Sequence, residues 1–212
     1  MAERDSTAVW RWLAGLGMCC CAGAASAAGD SDWSAGVFVG QAVKGNLSDI
    51  LPRAFTGKLD FQTAYASGVL LRYELAKPGW LSDWSQRHGW PLSSSLEFGA
   101  LQMSGLTHNT ELDLDWRPAI TFWQPGRFQI ETAWGIGLSH SFGKPWSDYE
   151  DPEHPQGYKT LFHMTPELAL RNEDLPGWSL GLRLHHRSGI YGTVAPRKVG
   201  SNHVGLALMR QF

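Results

Sequence analysis

The chain has 212 residues and a formal net charge of −2, which argues against nucleic acid as a partner. Its three cysteines are Cys19, Cys20 and Cys21, so the chain beyond them has neither disulfides nor cysteine metal ligands. It lacks the run of roughly eighteen apolar residues that a membrane helix needs, and a chain of this kind resident in a membrane must be a closed barrel, because only helices and barrels satisfy every backbone group in lipid.

The first element is a targeting signal. Arg4 and Arg11 supply positive charge, Leu13 to Cys21 form a short apolar run, and Ala25-Ser26-Ala27 matches the small-residue cleavage pattern. Residues 1–27 are therefore expected to be removed, leaving 28–212 as one domain. Gly17-Met18 before Cys19 makes a poor lipobox, which disfavours a lipid anchor at the cysteines.

Eight segments then alternate apolar and polar residues over about ten positions, the length of a tilted transmembrane strand. They are Asp32–Gln41, Ala64–Leu75, Ser93–Met103, Glu111–Phe122, Phe128–His140, Leu161–Arg171, Trp178–Arg187 and Ser201–Phe212. Successive strand side chains point to opposite faces. In the fifth segment Phe128, Ile130, Trp134, Ile136 and Leu138 share one face, and Gln129, Glu131, Ala133, Gly135 and Gly137 share the other. Gln124-Pro125-Gly126 and Leu175-Pro176-Gly177 are tight turns, whereas Gly143 to Gly157 is a long polar loop. Lys77 to Trp90 is too long for the short turn the count requires there, and is expected to extend its neighbouring strands.

Arg72, Glu97, Glu131, Glu167 and Arg183 lie opposite the apolar faces. A soluble sandwich would turn those charges to water, and a small barrel would pair them in its lumen. The signal peptide, the eleven tryptophans and the terminal Phe212 favour an all-β, eight-stranded antiparallel transmembrane β-barrel in the bacterial outer membrane.

In the seventh segment Trp178, Leu180, Leu182, Leu184, His186 and Ser188 share a face. A greasy strand face thus ends in a histidine and a serine two residues apart. Serine is a weak nucleophile until a base takes its proton, and histidine is the natural base near neutral pH. The competing reading is a polar girdle that meets lipid headgroups. His185 has the opposite parity and reads as a hydrogen-bonding group of the lumen. Glu131, Glu167 and Arg183 read as a structural lumen network rather than an acid–base cluster. His154, beside Glu153 and Asp151, reads as part of a solvated loop rather than a metal site.

The tail from Leu182 to Phe212 resembles the lipid A 3-O-deacylase (PagL-type, acyloxyacyl hydrolase) family. That family carries His-x-Ser-Asn on its penultimate strand and an acidic third residue downstream, after a glycine. The matching residues here are His186-Arg187-Ser188, then Gly200-Ser201-Asn202, then the strand Val204 to Phe212. The resemblance implies a carboxylic ester hydrolase acting on an acyl chain of lipid A in the outer leaflet, with no cofactor and no metal. Its partners would be lipid A (lipopolysaccharide) and the bilayer, and a homodimer is left open. The chain departs from the motif twice: Gly189 stands where the family has asparagine, and Asn202 where it has an acid. Gly189 could then contribute to an oxyanion site only through its backbone amide.

Strand seven runs outward and strand eight back, so parity also brings Asn202 to the outward face near His186 and Ser188. Asn202 would orient the imidazole without supplying charge. Arg187, Arg197 and Lys198 are candidate contacts for lipid phosphates, or ordinary loop cations. Three functions follow: a serine esterase of lipid A, a catalytically impaired relative that is structural or binds lipopolysaccharide, and a small pore or adhesin.

Overall fold

The computed structural model describes residues 32–77, 79–147, 152–196 and 199–212. The expected signal peptide, residues 1–27, lies outside them. Eight strands form one closed antiparallel barrel in sequence order: β1 (Trp33–Lys44), β2 (Asp60–Glu74), β3 (Leu92–Gly105), β4 (Asn109–Trp123), β5 (Phe128–Phe142), β6 (Thr160–Asn172), β7 (Trp178–Ser188) and β8 (Gly200–Gln211). β8 closes on β1 in a continuous register from Ser34↔Gln211 to Ala42↔His203. Every strand thus has two neighbours, and no edge is left unpaired.

The faces sort as a membrane demands. Val69, Leu114, Leu138, Leu168, Leu182 and Leu206 are exposed on the outside. Arg72, Glu97, Glu131, Glu167 and Arg183 are buried within. Exposed aromatics ring the end where β1 begins and β8 finishes, among them Trp33, Tyr73, Trp123 and Phe128, and Phe61, Tyr65 and Phe142 ring the far end. No helix among the described residues is long and apolar enough to cross a membrane.

The lumen is filled by side chains, as expected of eight strands. One sector is apolar: Phe38, Ala66, Leu70, Leu101, Met103, Ala207 and Met209 pack together. The other is ionic. Arg72 donates to Glu97 Oε2 from Nε (3.0 Å) and Nη2 (2.6 Å). Arg183 bridges Glu167 (2.7 Å) and Glu97 (2.5 Å), and Arg117 bridges Glu131 (3.1 Å) and Glu167 (2.9 Å). Shared partners satisfy these charges where water cannot.

Two helices were not expected. The connection spanning Lys77 to Trp90 does not extend its strands; it holds α2 (Gly79–His88), so that expectation is corrected. Helical hydrogen bonds satisfy its backbone, and Trp84 stacks on His88 one turn later at 4.4 Å. At the far end α1 (Leu47–Phe55) follows β1. Its Ile50 packs with Val43 and Leu184, flanked by Leu47, Leu59 and Val204. Leu182 on the outer face of β7 is 53% exposed, whereas Leu184 is 6% exposed, because α1 lies over it.

Candidate functional site

Register brings the first site residues together. β7 and β8 pair with His186 opposite Asn202 and Ser188 opposite Gly200. Opposed residues on one face of an antiparallel pair have neighbouring side chains, and the His186 ring contacts the Asn202 amide at 2.6 Å, Nδ1 to Oδ1. Asn202 Nδ2 donates to the backbone carbonyl of Gly45 (2.8 Å), just before α1.

That second bond assigns the proton. A carbonyl can only accept, so the amide nitrogen must face Gly45 and Oδ1 must face His186. Oδ1 can also only accept, so His186 Nδ1 carries the hydrogen. In the neutral ring Nε2 then keeps its lone pair, the state a general base requires. Asn202 was expected to face lipid. It points outward but is only 4% exposed, because Gly45 and the chain leading into α1 cover it.

His186 and Ser188 are both half-buried on the outward face. Among the described residues no hydrogen bond joins the Ser188 hydroxyl to His186. Two strand residues span about 6.7 Å, so proton transfer needs both side chains to turn toward each other. Alongside them on β6, Met164 is the register partner of His186 and Phe162 that of Ser188; Leu138 and Ile136 continue the same apolar face on β5.

Gly189 owes its lack of a side chain to the β7–β8 loop. A Cβ there would lie 2.2 Å from the Ala195 carbonyl oxygen and 2.6 Å from that of Pro196. The Gly189 carbonyl accepts from the amides of Val194 (3.0 Å) and Ala195 (3.2 Å), which fold the loop back over it. Asparagine at this position would require the loop to move. Gly200 has φ 144°, and its Cβ would meet the Arg187 carbonyl at 2.0 Å, so glycine is required there as well.

Arg187 is corrected as a contact for lipid phosphate. It has the inward parity of Arg183 and His185, is 1% exposed, and pairs with Glu111 at 2.8 Å while donating to the Lys159 carbonyl (2.8 Å). Arg197 and Lys198 lie outside the described residues. His185 faces the lumen, with Nε2 3.0 Å from Glu111 and 3.2 Å from Asp113. His154 contacts the Tyr158 hydroxyl in the exposed β5–β6 loop at 2.8 Å.

Sequence reasoning missed Gly45 as the anchor of Asn202, and the cover that α1 lays over the site. The stripe Leu47, Ile50, Leu51, spaced for one helical face, was the available signal.

A closed barrel of eight antiparallel strands, apolar outside and ionic inside, is of the outer-membrane class. No family model and no curated protein matches the chain. Among solved structures it is similar to the outer membrane enzyme PagL at 16% identity, with 85% of this chain and 99% of that chain covered and a TM-score of 0.59. A fainter likeness, 12% identity and a TM-score of 0.43 over 84% of this chain and 98% of the other, is to the N-terminal β-barrel domain of Pseudomonas aeruginosa OprF. At such identities the PagL likeness establishes the fold.

Proposed function

We propose that this barrel is an outer-membrane serine esterase that removes an ester-linked acyl chain, at the 3-O position, from lipid A in the outer leaflet. The observation that carries the reading is the relay from the Gly45 carbonyl through Asn202 to His186 Nδ1, which leaves Nε2 as a base on the lipid-facing side of β7 beside Ser188. The likeness to PagL and the His-x-Ser spacing support it.

The chemistry balances without a cofactor. Ser188 Oγ gives its proton to His186 Nε2 and attacks the ester carbonyl carbon. The tetrahedral adduct collapses, His186 returns the proton to the departing sugar oxygen, and the acyl group stays on Ser188. Water, deprotonated by His186, then attacks that acyl ester; the proton passes to Ser188 Oγ and the fatty acid leaves. The acyl chain would lie along Met164, Phe162, Ile136 and Leu138. Asn202 is a positioning residue: it holds the ring in the useful tautomer but lends the imidazolium no charge.

Mass spectrometry of lipid A from membranes carrying either the wild type or Ser188→Ala tests the reading. Loss of the 3-O-acyl chain with the wild type alone is expected; equal acylation with both proteins would sink it.

The second reading is a catalytically impaired barrel with a structural or lipopolysaccharide-binding role. The missing Ser188–His186 hydrogen bond and the neutral Asn202 favour it. Labelling of Ser188 by a fluorophosphonate in detergent would count against it. A pore has less support, since the Arg–Glu network fills the lumen.

A further inference from the structure

The far half of the lumen holds a second cluster that the proposed esterase does not use. Asp113 on β4, His163 on β6 and His185 on β7 each offer a ligand atom, and the three atoms lie within 4.8 Å of one another. All three residues are at most 4% exposed. Among the described residues Asp113 Oδ1, His163 Nε2 and His185 Nδ1 are buried without a hydrogen-bond partner. Buried polar atoms left unpaired cost about 1–3 kcal/mol each, and each of the three residues of this cluster carries one.

The opposite edges of both rings are held by carboxylates. His163 contacts Asp115 Oδ1 through Nδ1 (3.0 Å). His185 Nε2 sits between Glu111 and Asp113; to join the ligand set Asp113 must turn away from that edge, which leaves Glu111 as the carboxylate behind the ring. A carboxylate behind a histidine fixes its tautomer, aims the other nitrogen and raises its basicity, which is the usual support of a metal-ligating imidazole. Charge agrees. Six buried carboxylates (Glu97, Glu111, Asp113, Asp115, Glu131 and Glu167) face four buried arginines (Arg72, Arg117, Arg183 and Arg187). Half-buried Arg171 pairs with Glu131 at 3.2 Å, which leaves an excess of one negative charge for a cation to offset.

We propose that Asp113, His163 and His185 bind one divalent transition-metal ion of the zinc type inside the barrel. Two imidazoles and one carboxylate suit zinc better than calcium or magnesium, which prefer all-oxygen shells. Ligand atoms of a tetrahedral zinc site lie roughly 3.3 Å apart, so modest side-chain rotation closes the set around the ion. Binding leaves both imidazoles neutral and releases any proton they carried. Because the site is walled in, the ion enters as the barrel closes, and its role is to bind β4, β6 and β7 together.

The test uses untagged full-length protein refolded in detergent with zinc or cobalt, then exchanged into metal-free buffer. Elemental analysis should find about one zinc per folded chain, and the cobalt form should show the intense visible bands of a tetrahedral site with nitrogen ligands. The His163→Gln/His185→Gln double variant should lose the ion. Asp115→Asn, which touches no metal, should weaken retention about 10–100-fold. Heat-modifiable migration on gels reports folding in each case. Substoichiometric zinc in folded wild type, as expected if an imidazolium proton balances the charge instead, would overturn the proposal. So would zinc retained by the folded double variant. Should the variants not fold, a weak octahedral cobalt spectrum from the wild type would overturn it equally.

Discussion

The two faces of β7 carry similar residues under opposite constraints. Inward, Arg183, His185 and Arg187 are each held by carboxylates from other strands and are almost wholly buried. Outward, Leu180 and Leu182 meet lipid, and the strand then ends in His186 and Ser188, half-buried, with one ring nitrogen of His186 tied to Asn202. Two adjacent histidines therefore differ in kind. His185 is fixed between acids, whereas His186 has a neutral partner on one side and a free nitrogen on the other. Groups held by charged partners inside the lumen hold a fold together; a group bonded on one side, at a lipid-facing surface, is free to react.

The largest separation of the two faces should come from Ser188→Ala. On the proposed reading it removes the nucleophile and nothing the barrel depends on, so deacylation should fall by on the order of 10⁴-fold or more, with heat-modifiable migration unchanged. A barrel that deacylates as before would move the chemistry away from this face. Arg183→Met should do the reverse. It leaves Glu97 and Glu167 short of a partner in the lumen and should cost about 3–5 kcal/mol, read as a lower urea midpoint. Molecules that remain folded should keep their deacylase rate.

Asn202 comes next, and its surroundings favour an amide over an acid. The Gly45 carbonyl needs a donor, and a carboxylate there would present a second acceptor to it. Asn202→Ala frees the His186 ring and should cost about 10²-fold in rate, the scale of a mispositioned catalytic group. Asn202→Asp should recover part of that loss, because it still accepts from Nδ1 and supports the imidazolium, yet it repels Gly45. Full wild-type activity in Asn202→Ala would leave His186 without need of a positioning partner.

Alternation made the eight strands legible because each has one face in lipid and one in a polar lumen. Parity alone turned His186 and Asn202 outward and His185 inward. Parity also turns Arg187 inward; closeness to the loop in sequence suggested a lipid contact that strand geometry forbids. Alternation does not carry register, and only the paired strands set His186 opposite Asn202 rather than one step away. The luminal cluster was hidden for the same reason: His185 meets Asp113 across 72 residues, and only barrel closure joins them. α1 was illegible because nine residues containing Pro52 make a marginal helix alone. Its partner surface, Val43 and Leu184, exists only once β7 and β1 have joined through β8.

That dependence gives the mildest test. Among the described side chains of α1, Ile50 is buried against the barrel wall. In a large core Ile→Ala costs about 2–5 kcal/mol, but here a short helix can detach without opening a strand, so the loss should appear as local undocking. The urea midpoint of Ile50→Ala should hardly move. Trypsin should cut faster after Arg53 or Lys58, both exposed at the end of α1. Gly45 would then fix Asn202 less firmly, and deacylation should drop only a few-fold, well short of the loss in Asn202→Ala. An Ile50→Ala barrel cut faster at those sites yet fully active would mean that α1 covers the outer face of β7 without governing the His186 relay.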